Sequence, residues 1–216
     1  MKKEELYHYV DHTALKAFTT WEDIEKLCDE AIAYQMASVC IPSCYISRVH
    51  EKYGDKLNIC TVVGFPLGNC NTQSKVEETR QALIDGASEI DMVINICDVK
   101  NREYDKVEKE IALLKETVGD KILKVIVETC YLTEEEKVAM CHAVTNAKAD
   151  FIKTSTGFGT GGATFADVEL FAANIGKDVK IKAAGGVRSR EDMEKYIALG
   201  CSRIGTSSAI SILEEQ

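Results

Sequence analysis

The feature of this sequence that most restricts its fold is a repeated pairing of a short strand-like run with a helix-like stretch. Eight strand-like runs occur, at an average spacing of about 27 residues. They are Val10–Thr13, Ser38–Ile41, Asn58–Val63, Glu89–Asn95, Lys121–Glu128, Asp150–Ser155, Val179–Ala184 and Ser202–Gly205. Strands that alternate with helices at this spacing form right-handed β-α-β units and a parallel sheet. Eight units in 216 residues predict a single α/β domain spanning residues 1–216, closed as a parallel (β/α)8 TIM barrel.

The ends of the predicted helices carry local signals. Five starts have Ser or Thr followed by an acid three residues later, the spacing of a capping box: Thr20/Asp23, Ser74/Glu77, Thr133/Glu136, Thr164/Asp167 and Ser189/Asp192. Five ends lie near a glycine, which tolerates the left-handed conformation that closes a helix: Gly54, Gly86, Gly119, Gly176 and Gly200. These signals support the alternation of strands and helices.

Composition and charge argue against several classes of function. The net charge of −9 opposes nucleic-acid binding, which needs a basic face. Residues 1–5 lack the apolar run of a signal peptide and no stretch is apolar enough to span a membrane, so we expect a cytoplasmic protein without a membrane partner. The nine cysteines include no C-x-x-C pair and the four histidines show no ligand spacing, which predicts reduced thiols, no metal and no cofactor.

Charged residues recur on one side of the predicted strands. Alternate residues of a strand face opposite sides, so where the apolar side packs under helices the other side points into the barrel. Six charged residues then face inward: Asp11, Asp91, Lys124, Glu128, Lys153 and Lys182. Buried charges need partners, so these residues are compensating ion pairs, strand ends open to solvent, or a site at the carboxyl ends of the strands. Their convergence favours a site.

Lys153 and Lys182 occupy comparable positions on consecutive predicted strands, so we expect their ammonium groups to be neighbours. At a separation of ~4 Å and an effective dielectric constant of about 20, their repulsion is worth about 4 kcal/mol and favours a neutral amine. A neutral lysine can attack a carbonyl and form a Schiff base. We therefore predict Lys153 as the nucleophile and Asp91 as the carboxylate that moves protons. The residues expected to orient and balance this pair are Asp11, Lys124 and Glu128.

Two glycine-bearing loops follow the last two predicted strands and lead into helices. Glycine lets backbone amides approach a phosphate, and a helix N-terminus favours an anion. In barrels of this kind the loops after strands seven and eight frequently bind phosphate. We therefore expect an anion site, with hydroxyl donors added by the segment after the sixth strand. The residues concerned are Gly185, Gly186, Gly205, Ser207, Ser208 and Thr156.

Several segments resemble the signature segments of the deoxyribose-phosphate aldolase family, which are class I aldolases. Phe151–Phe158 resembles the Schiff-base segment of that family, and Glu89–Asn95 and Lys182–Arg188 resemble its other signatures. Shorter segments agree in the same order along nearly the whole chain: Asp11–Thr13, Val62–Pro66, Lys124–Thr129 and Gly205–Ser208.

The resemblance implies reversible cleavage of 2-deoxy-D-ribose 5-phosphate, a small phosphorylated sugar, to D-glyceraldehyde 3-phosphate and acetaldehyde. It assigns the Schiff base to Lys153, and proton transfer to Asp91 and Lys182. It also places Cys40 near the acetaldehyde pocket, although a small core residue is an equally good reading of that cysteine. Some relatives end in a mobile tyrosine that helps proton transfer, whereas this chain ends Leu213-Glu214-Glu215-Gln216. A homodimer is compatible with the sequence, which does not determine the number of subunits.

Two other functions are compatible with the same residues. One is a different Schiff-base barrel enzyme, such as a transaldolase or a keto-acid aldolase, that acts on a longer donor; activity with acetaldehyde as the donor would separate the two. The other is a phosphate-binding barrel without chemistry, in which the lysines only balance charge. Trapping with borohydride in the presence of substrate would decide that case.

Overall fold

The computed structural model describes residues 1–214 and contains eight parallel strands that close into a barrel in chain order. Their bounds are β1 Val10–Thr13, β2 Ser38–Ile41, β3 Ile59–Val63, β4 Glu89–Val93, β5 Ile122–Ile126, β6 Phe151–Lys153, β7 Lys180–Ala184 and β8 Cys201–Thr206. The ring is completed by β8, which pairs in parallel with β1 through Ile204–Thr206. The predicted (β/α)8 barrel is therefore confirmed.

Helices connect the strands and surround the barrel. Within residues 1–214 they are α1 Lys3–Tyr7, α2 Trp21–Ala33, α3 Ile46–Tyr53, α4 Thr72–Ile84, α5 Ile96–Lys100, α6 Tyr104–Val118, α7 Glu134–Asn146, α8 Phe165–Asn174, α9 Arg190–Ala198 and α10 Ala209–Glu214. The outward sides of the strands, such as Ile90 and Met92 of β4, join the inner sides of the helices in one buried apolar cluster. None of the described helices has the length and apolar character needed to cross a bilayer.

Three strands end earlier than predicted, and for two of them the local backbone shows why. Glu89–Asn95 was expected as a strand, but β4 ends at Val93 because the Asn95 side chain caps α5 by accepting from the amide of Cys97 at 3.1 Å. The strand expected to reach Glu128 ends at Ile126, and Glu128 itself adopts a left-handed conformation with φ of 56°. The sixth strand, expected over residues 150–155, is shortened to residues 151–153.

Most of the predicted helix caps are confirmed. The amide of the acidic residue donates to the side chain of the N-cap residue at Thr20, Thr133, Thr164 and Ser189. The fifth prediction, Ser74, is wrong because Asn71 caps α4 by accepting from the amide of Ser74 at 2.8 Å. A short polar side chain three residues earlier, Asn71, therefore defines the helix start.

The glycine signal holds at four of the five helix ends, where φ is positive: Gly54, Gly86, Gly119 and Gly200. Gly176 does not close a helix in this way, because α8 ends at Asn174 and the next residue is already extended. An added Cβ at Gly176 would lie 2.5 Å from Cγ2 of Thr145 on α7. The absence of a side chain at Gly176 thus permits the segment after α8 to approach α7 closely.

Candidate active site

The centre of the site is the carboxylate of Asp91, which projects from β4 into the barrel. Its Oδ2 atom accepts hydrogen bonds from Nζ of Lys153 and from Nζ of Lys182, both at 2.8 Å. Its Oδ1 atom accepts from Nζ of Lys124 at 2.8 Å and from the thiol of Cys60 at 3.1 Å. Because a carboxylate offers about four lone-pair positions, these four donors satisfy Asp91.

Two more carboxylates, those of Asp11 and Glu89, bind the same lysines. Lys124 contacts Glu89 at 2.5 Å and Asp11 at 3.7 Å, and Lys182 forms an ion pair with Asp11. Arg203 on β8 donates to both oxygens of Glu89, at 2.9 and 3.1 Å, and also contacts Asp11. We call these seven side chains the charge network. Its members are Asp11, Glu89, Asp91, Lys124, Lys153, Lys182 and Arg203.

Strand register explains why these side chains meet. Asp91 of β4 pairs with Lys124 of β5, Lys153 of β6 pairs with Lys182 of β7, and Lys182 pairs with Arg203 of β8. Residues in register on neighbouring strands project to the same side of the sheet. The expectation that Lys153 and Lys182 occupy comparable positions on consecutive strands is therefore confirmed.

Neighbouring charges set the protonation of most of the network. Burial opposes the charged form of Lys182, but Asp11 and Asp91 outweigh it and raise the pKa of Lys182 above its usual value. Burial likewise opposes the charged form of Lys124, yet Asp91 and other nearby groups raise the pKa of Lys124 well above its usual value. Burial alone would raise the pKa of Asp91, but Lys124, Lys153 and Lys182 lower it well below its usual range. Lys124 and Lys182 are therefore cations, and Asp91 is a carboxylate, at neutral pH.

The structure changes the reason for expecting a neutral lysine. We expected Lys153 and Lys182 to repel each other directly, but the carboxylate of Asp91 binds both ammonium groups. The total charge provides a different argument, since within residues 1–214 the network has four cations and three carboxylates. Loss of one proton from a lysine would make the network neutral.

Lys153 has the fewest carboxylate contacts among the lysines of the network. Within residues 1–214 its one ion pair is with Asp91, through an oxygen that Lys182 also uses. Lys124 and Lys182 each contact at least two carboxylates. Lys153 also lines a cavity of about 750 Å³, so a carbonyl compound in the cavity could reach its amine.

The loops after β7 and β8 line the same cavity, as do all six predicted phosphate-site residues. Gly185 and Gly186 have φ values of 77° and 76°, in the left-handed region that favours glycine. Ser207 and Ser208 are exposed at the other loop. The structure thus brings Lys153 and the predicted anion site to one cavity, while phosphate binding itself stays a prediction.

Gly205 also makes room for a lysine of the network. An added Cβ at Gly205 would lie 3.2 Å from Cε of Lys182 and 3.0 Å from Cβ of Ala184. Both contacts are tight, and the neighbouring strand leaves little freedom to relieve them. The absence of a side chain at Gly205 therefore helps Lys182 to extend along the inside of the barrel.

Glu128 does not join the lysines as we expected. Its carboxylate accepts from the amide of Thr156 at 3.2 Å and from the hydroxyl of Thr156. The alternation that predicted an inward direction does not extend to Glu128 because the backbone turns into the left-handed region there. Glu128 instead holds the loop that follows Lys153. The hydroxyl of Thr156 donates its proton to Glu128. Thr156 can therefore donate to a phosphate only if this hydrogen bond breaks.

Cys40 lies inside the barrel and is fully buried beside Cys60 and Val62. Donor atoms of Cys40, Cys60 and Asp91 lie within 4.8 Å of one another, a set that could hold a metal ion. Cysteine pairs of this kind leave no spacing signal in the sequence. Asp91 is already bound by three ammonium groups, and their charge disfavours a further cation at this position. A function without a metal or cofactor stays a prediction.

Three contributors to the site were not singled out from the sequence: Glu89, Arg203 and Cys60. Glu89 lies two residues before Asp91, and Arg203 lies two residues before Gly205, so both share the inward side of their strands. That alternation was the signal that could have found them. Cys60 had no comparable signal, because a single cysteine in an apolar strand normally indicates a core residue.

Comparison with known proteins agrees with this geometry. The family model described as "DeoC/LacD family aldolase" matches residues 6–211. A deoxyribose-phosphate aldolase of Clostridium botulinum (strain Alaska E43 / Type E3) is 66% identical over 214 residues, which cover 99% of this chain and 97% of that protein. One of Clostridioides difficile (strain 630) is 57% identical over 207 residues, or 96% and 94% of the two chains. A solved structure of the Aeropyrum pernix deoxyribose phosphate aldolase superposes with a TM-score of 0.90 at 29% identity, covering 99% of this chain and 92% of that one.

The charge network makes stability depend on pH in a predictable direction. Burial favours the neutral form of Asp11, but Lys182, Lys124 and Arg203 lower the pKa of Asp11 below its usual value. The stabilisation of the fold by ionised Asp11 is thus fully present above the pKa of an unfolded aspartate, about 3.9. It is lost as pH falls towards the lower pKa that Asp11 has in the folded protein. Asp11→Asn should be less stable at pH 7. It should also lose less stability on acidification below pH ~4. The slope of its unfolding free energy against pH should be smaller than that of wild type by up to about 1.4 kcal/mol per pH unit.

Urea unfolding followed by circular dichroism at several pH values between about 6 and 3 measures both slopes. A smaller slope in Asp11→Asn agrees with the ion pairs seen here. Equal slopes for the two proteins would show that Asp11 is not held ionised by its neighbours.

Proposed function

Because the chain belongs to the DeoC/LacD family of aldolases, we propose that it reversibly cleaves 2-deoxy-D-ribose 5-phosphate through a Schiff base on Lys153. The products are D-glyceraldehyde 3-phosphate and acetaldehyde. One observation carries the proposal: Lys153 lines the cavity, and its amine binds an oxygen of Asp91 that Lys182 shares. The choice of substrate is supported by relatives that are named deoxyribose-phosphate aldolases and are similar over almost the whole chain.

The covalent step begins when the neutral amine of Lys153 adds to the aldehyde carbon of the open-chain sugar. The carbinolamine then loses water and becomes an iminium ion. This iminium carries its positive charge where the ammonium charge of Lys153 lay, 2.8 Å from Asp91 in the free protein. The network therefore stabilises the same distribution of charge that it holds at rest, which is an example of electrostatic preorganisation.

Carbon–carbon cleavage uses the iminium as an electron sink. The hydroxyl at C3 of the sugar loses its proton, the C2–C3 bond breaks, and its electron pair neutralises the iminium as an enamine. D-Glyceraldehyde 3-phosphate is released at this point. Protonation of the enamine carbon followed by hydrolysis releases acetaldehyde and regenerates the amine of Lys153.

Asp91 and Lys182 are proposed to move the protons in these steps. Asp91 Oδ2 lies 2.8 Å from both amines, so a proton can pass between them through one carboxylate oxygen. The lowered pKa of Asp91 means that a proton on this carboxylate is passed on rather than kept. Lys182, whose pKa is raised, is charged at rest and can donate to a group that becomes basic during the reaction.

The phosphate group is proposed to bind backbone amides and hydroxyls at the loops after β7 and β8. These loops line the same cavity as Lys153, and a chain with a net charge of −9 needs only local donors for one small anion. The Aeropyrum pernix relative is described as tetrameric. For the present chain a homodimer stays our prediction.

Lys153 is expected to carry the covalent adduct. Incubation with acetaldehyde and borohydride should add one ethyl group, and peptide mass spectrometry should place it on Lys153. Lys153→Met should abolish the adduct because no other lysine of the network contacts so few carboxylates. Lys180→Met, which removes an exposed lysine of the neighbouring strand β7, should retain the adduct. An undiminished adduct in folded Lys153→Met would refute the assignment.

Ser208 offers a test of the phosphate loop. An aspartate there would repel a phosphate, so Ser208→Asp should raise KM for 2-deoxyribose 5-phosphate by about tenfold or more and change kinetics with unphosphorylated 2-deoxyribose about twofold or less. Ser47→Asp adds the same charge at an exposed position of α3, outside the lining of the cavity, and should affect neither substrate strongly. Equal losses with both sugars in Ser208→Asp would place the phosphate elsewhere.

A further inference from the structure

Two cysteines face each other across neighbouring strands beside the charge network. Cys40 of β2 and Cys60 of β3 are register partners, and both are fully buried in a small apolar cluster inside the barrel. Neighbouring strands lie about 4.8 Å apart, within the range of Cα separations that a disulfide spans, about 4.4–6.8 Å. The two side chains therefore point the same way at a distance that a sulfur–sulfur bond could close.

The two thiols differ chemically from the other buried cysteines. A hydrogen bond with Cys60 lowers the pKa of Cys40; burial and Asp91 oppose this effect, and Lys182 and Lys153 assist it. Burial raises the pKa of Cys60 well above its usual value, so Cys60 keeps its proton. By contrast, burial raises the pKa to about 12 at the isolated cysteines Cys28, Cys141 and Cys201. Thiolates are the nucleophilic form, so Cys40 is the more reactive of the buried thiols.

We propose that Cys40 and Cys60 form an oxidisable dithiol inside the barrel, beside the charge network. The thiolate of Cys40 attacks hydrogen peroxide, so that a sulfur–oxygen bond forms, the oxygen–oxygen bond breaks and hydroxide leaves. The sulfur of Cys60 then loses its proton and attacks Cys40, forming the disulfide and releasing the second oxygen as water. Two thiols and one hydrogen peroxide thus give one disulfide and two waters.

Only a small oxidant can reach this pair, because both thiols are fully buried. Lys153 is 4% exposed and lines the cavity, whereas neither Cys40 nor Cys60 is part of the cavity lining. Hydrogen peroxide, with two heavy atoms, is smaller than any substrate of the enzyme. Hydrogen peroxide therefore has to pass beyond the reacting amine, through motion of the cavity wall, to reach the dithiol.

Oxidation would change the charge network through Cys60. The single proton of Cys60 can be donated to Asp91, at 3.1 Å, or to Cys40, and its sulfur accepts from Lys124 at 3.3 Å. A disulfide has no proton to donate, so Asp91 loses one of its four donors, and the sulfur moves towards Cys40. We expect the orientation of Asp91, and with it Schiff-base formation on Lys153, to be impaired. This consequence rests on the proposed function, whereas the disulfide chemistry does not.

The experiment treats the reduced protein with hydrogen peroxide and maps disulfides by tandem mass spectrometry without reduction. The double variant Cys44→Ala/Cys70→Ala serves as the background, because Cys44 is exposed and Cys70 is half-buried, and each lies near one member of the pair in sequence. A Cys40–Cys60 link, with the loss of two hydrogen atoms, is expected. Absence of this link at peroxide levels that oxidise Cys97, an exposed thiol, would overturn the proposal.

The functional consequence is measured as borohydride trapping of acetaldehyde, expressed relative to the reduced form of each protein. Trapping should fall about tenfold or more on oxidation, return with dithiothreitol, and fall far less when Cys60→Ala is added to the background. An equal loss in the Cys60→Ala protein would overturn the role of the dithiol. A protein that forms the link but never traps acetaldehyde, even when reduced, would refute the proposed function and leave the dithiol chemistry supported.

Discussion

The carboxylate of Asp91 is the interaction on which the rest of the site depends. It binds three lysines and a thiol, each from a different strand of the barrel. Without it, the inner face of β5, β6 and β7 would present three buried ammonium groups with too few counter-charges, which is very unfavourable in a protein interior. The same carboxylate keeps Lys153 and Lys182 close together. The interaction that compensates the buried lysines therefore also holds the amine of Lys153 in place for reaction.

A network of this kind is difficult to explain by stability alone. Apolar residues of similar volume often stabilise a core as well as a buried ion pair does, or better. Here the four cations exceed the three carboxylates by one, and Lys153 is the lysine of the network that lines the cavity. The unequal count therefore has a chemical consequence that a balanced network would lack. Burial excludes water, which strengthens each of these interactions.

The sequence predicts the barrel well because the strand–helix alternation is regular and the inward side of each strand carries unusual charges. Lys153, Lys182, Asp91, Lys124 and Asp11 meet as expected. The bridging position of Asp91 could not be predicted, because register and side-chain reach between β4 and β7 are tertiary properties. Glu128 was placed wrongly because alternation fails where the backbone turns left-handed. The pairing of Cys40 with Cys60 depends on strand register, which no pattern within one strand reveals.

The measurement that tests the account most directly is the pH dependence of acetaldehyde trapping in Lys182→Met. Removing Lys182 leaves three cations and three carboxylates, so a charged Lys153 is then compensated and loses its proton less readily. The rate of trapping is expected to reach its midpoint at a higher pH in Lys182→Met than in wild type, while Lys180→Met keeps the wild-type profile. An unchanged profile in folded Lys182→Met would contradict the claim that the excess charge of the network prepares Lys153.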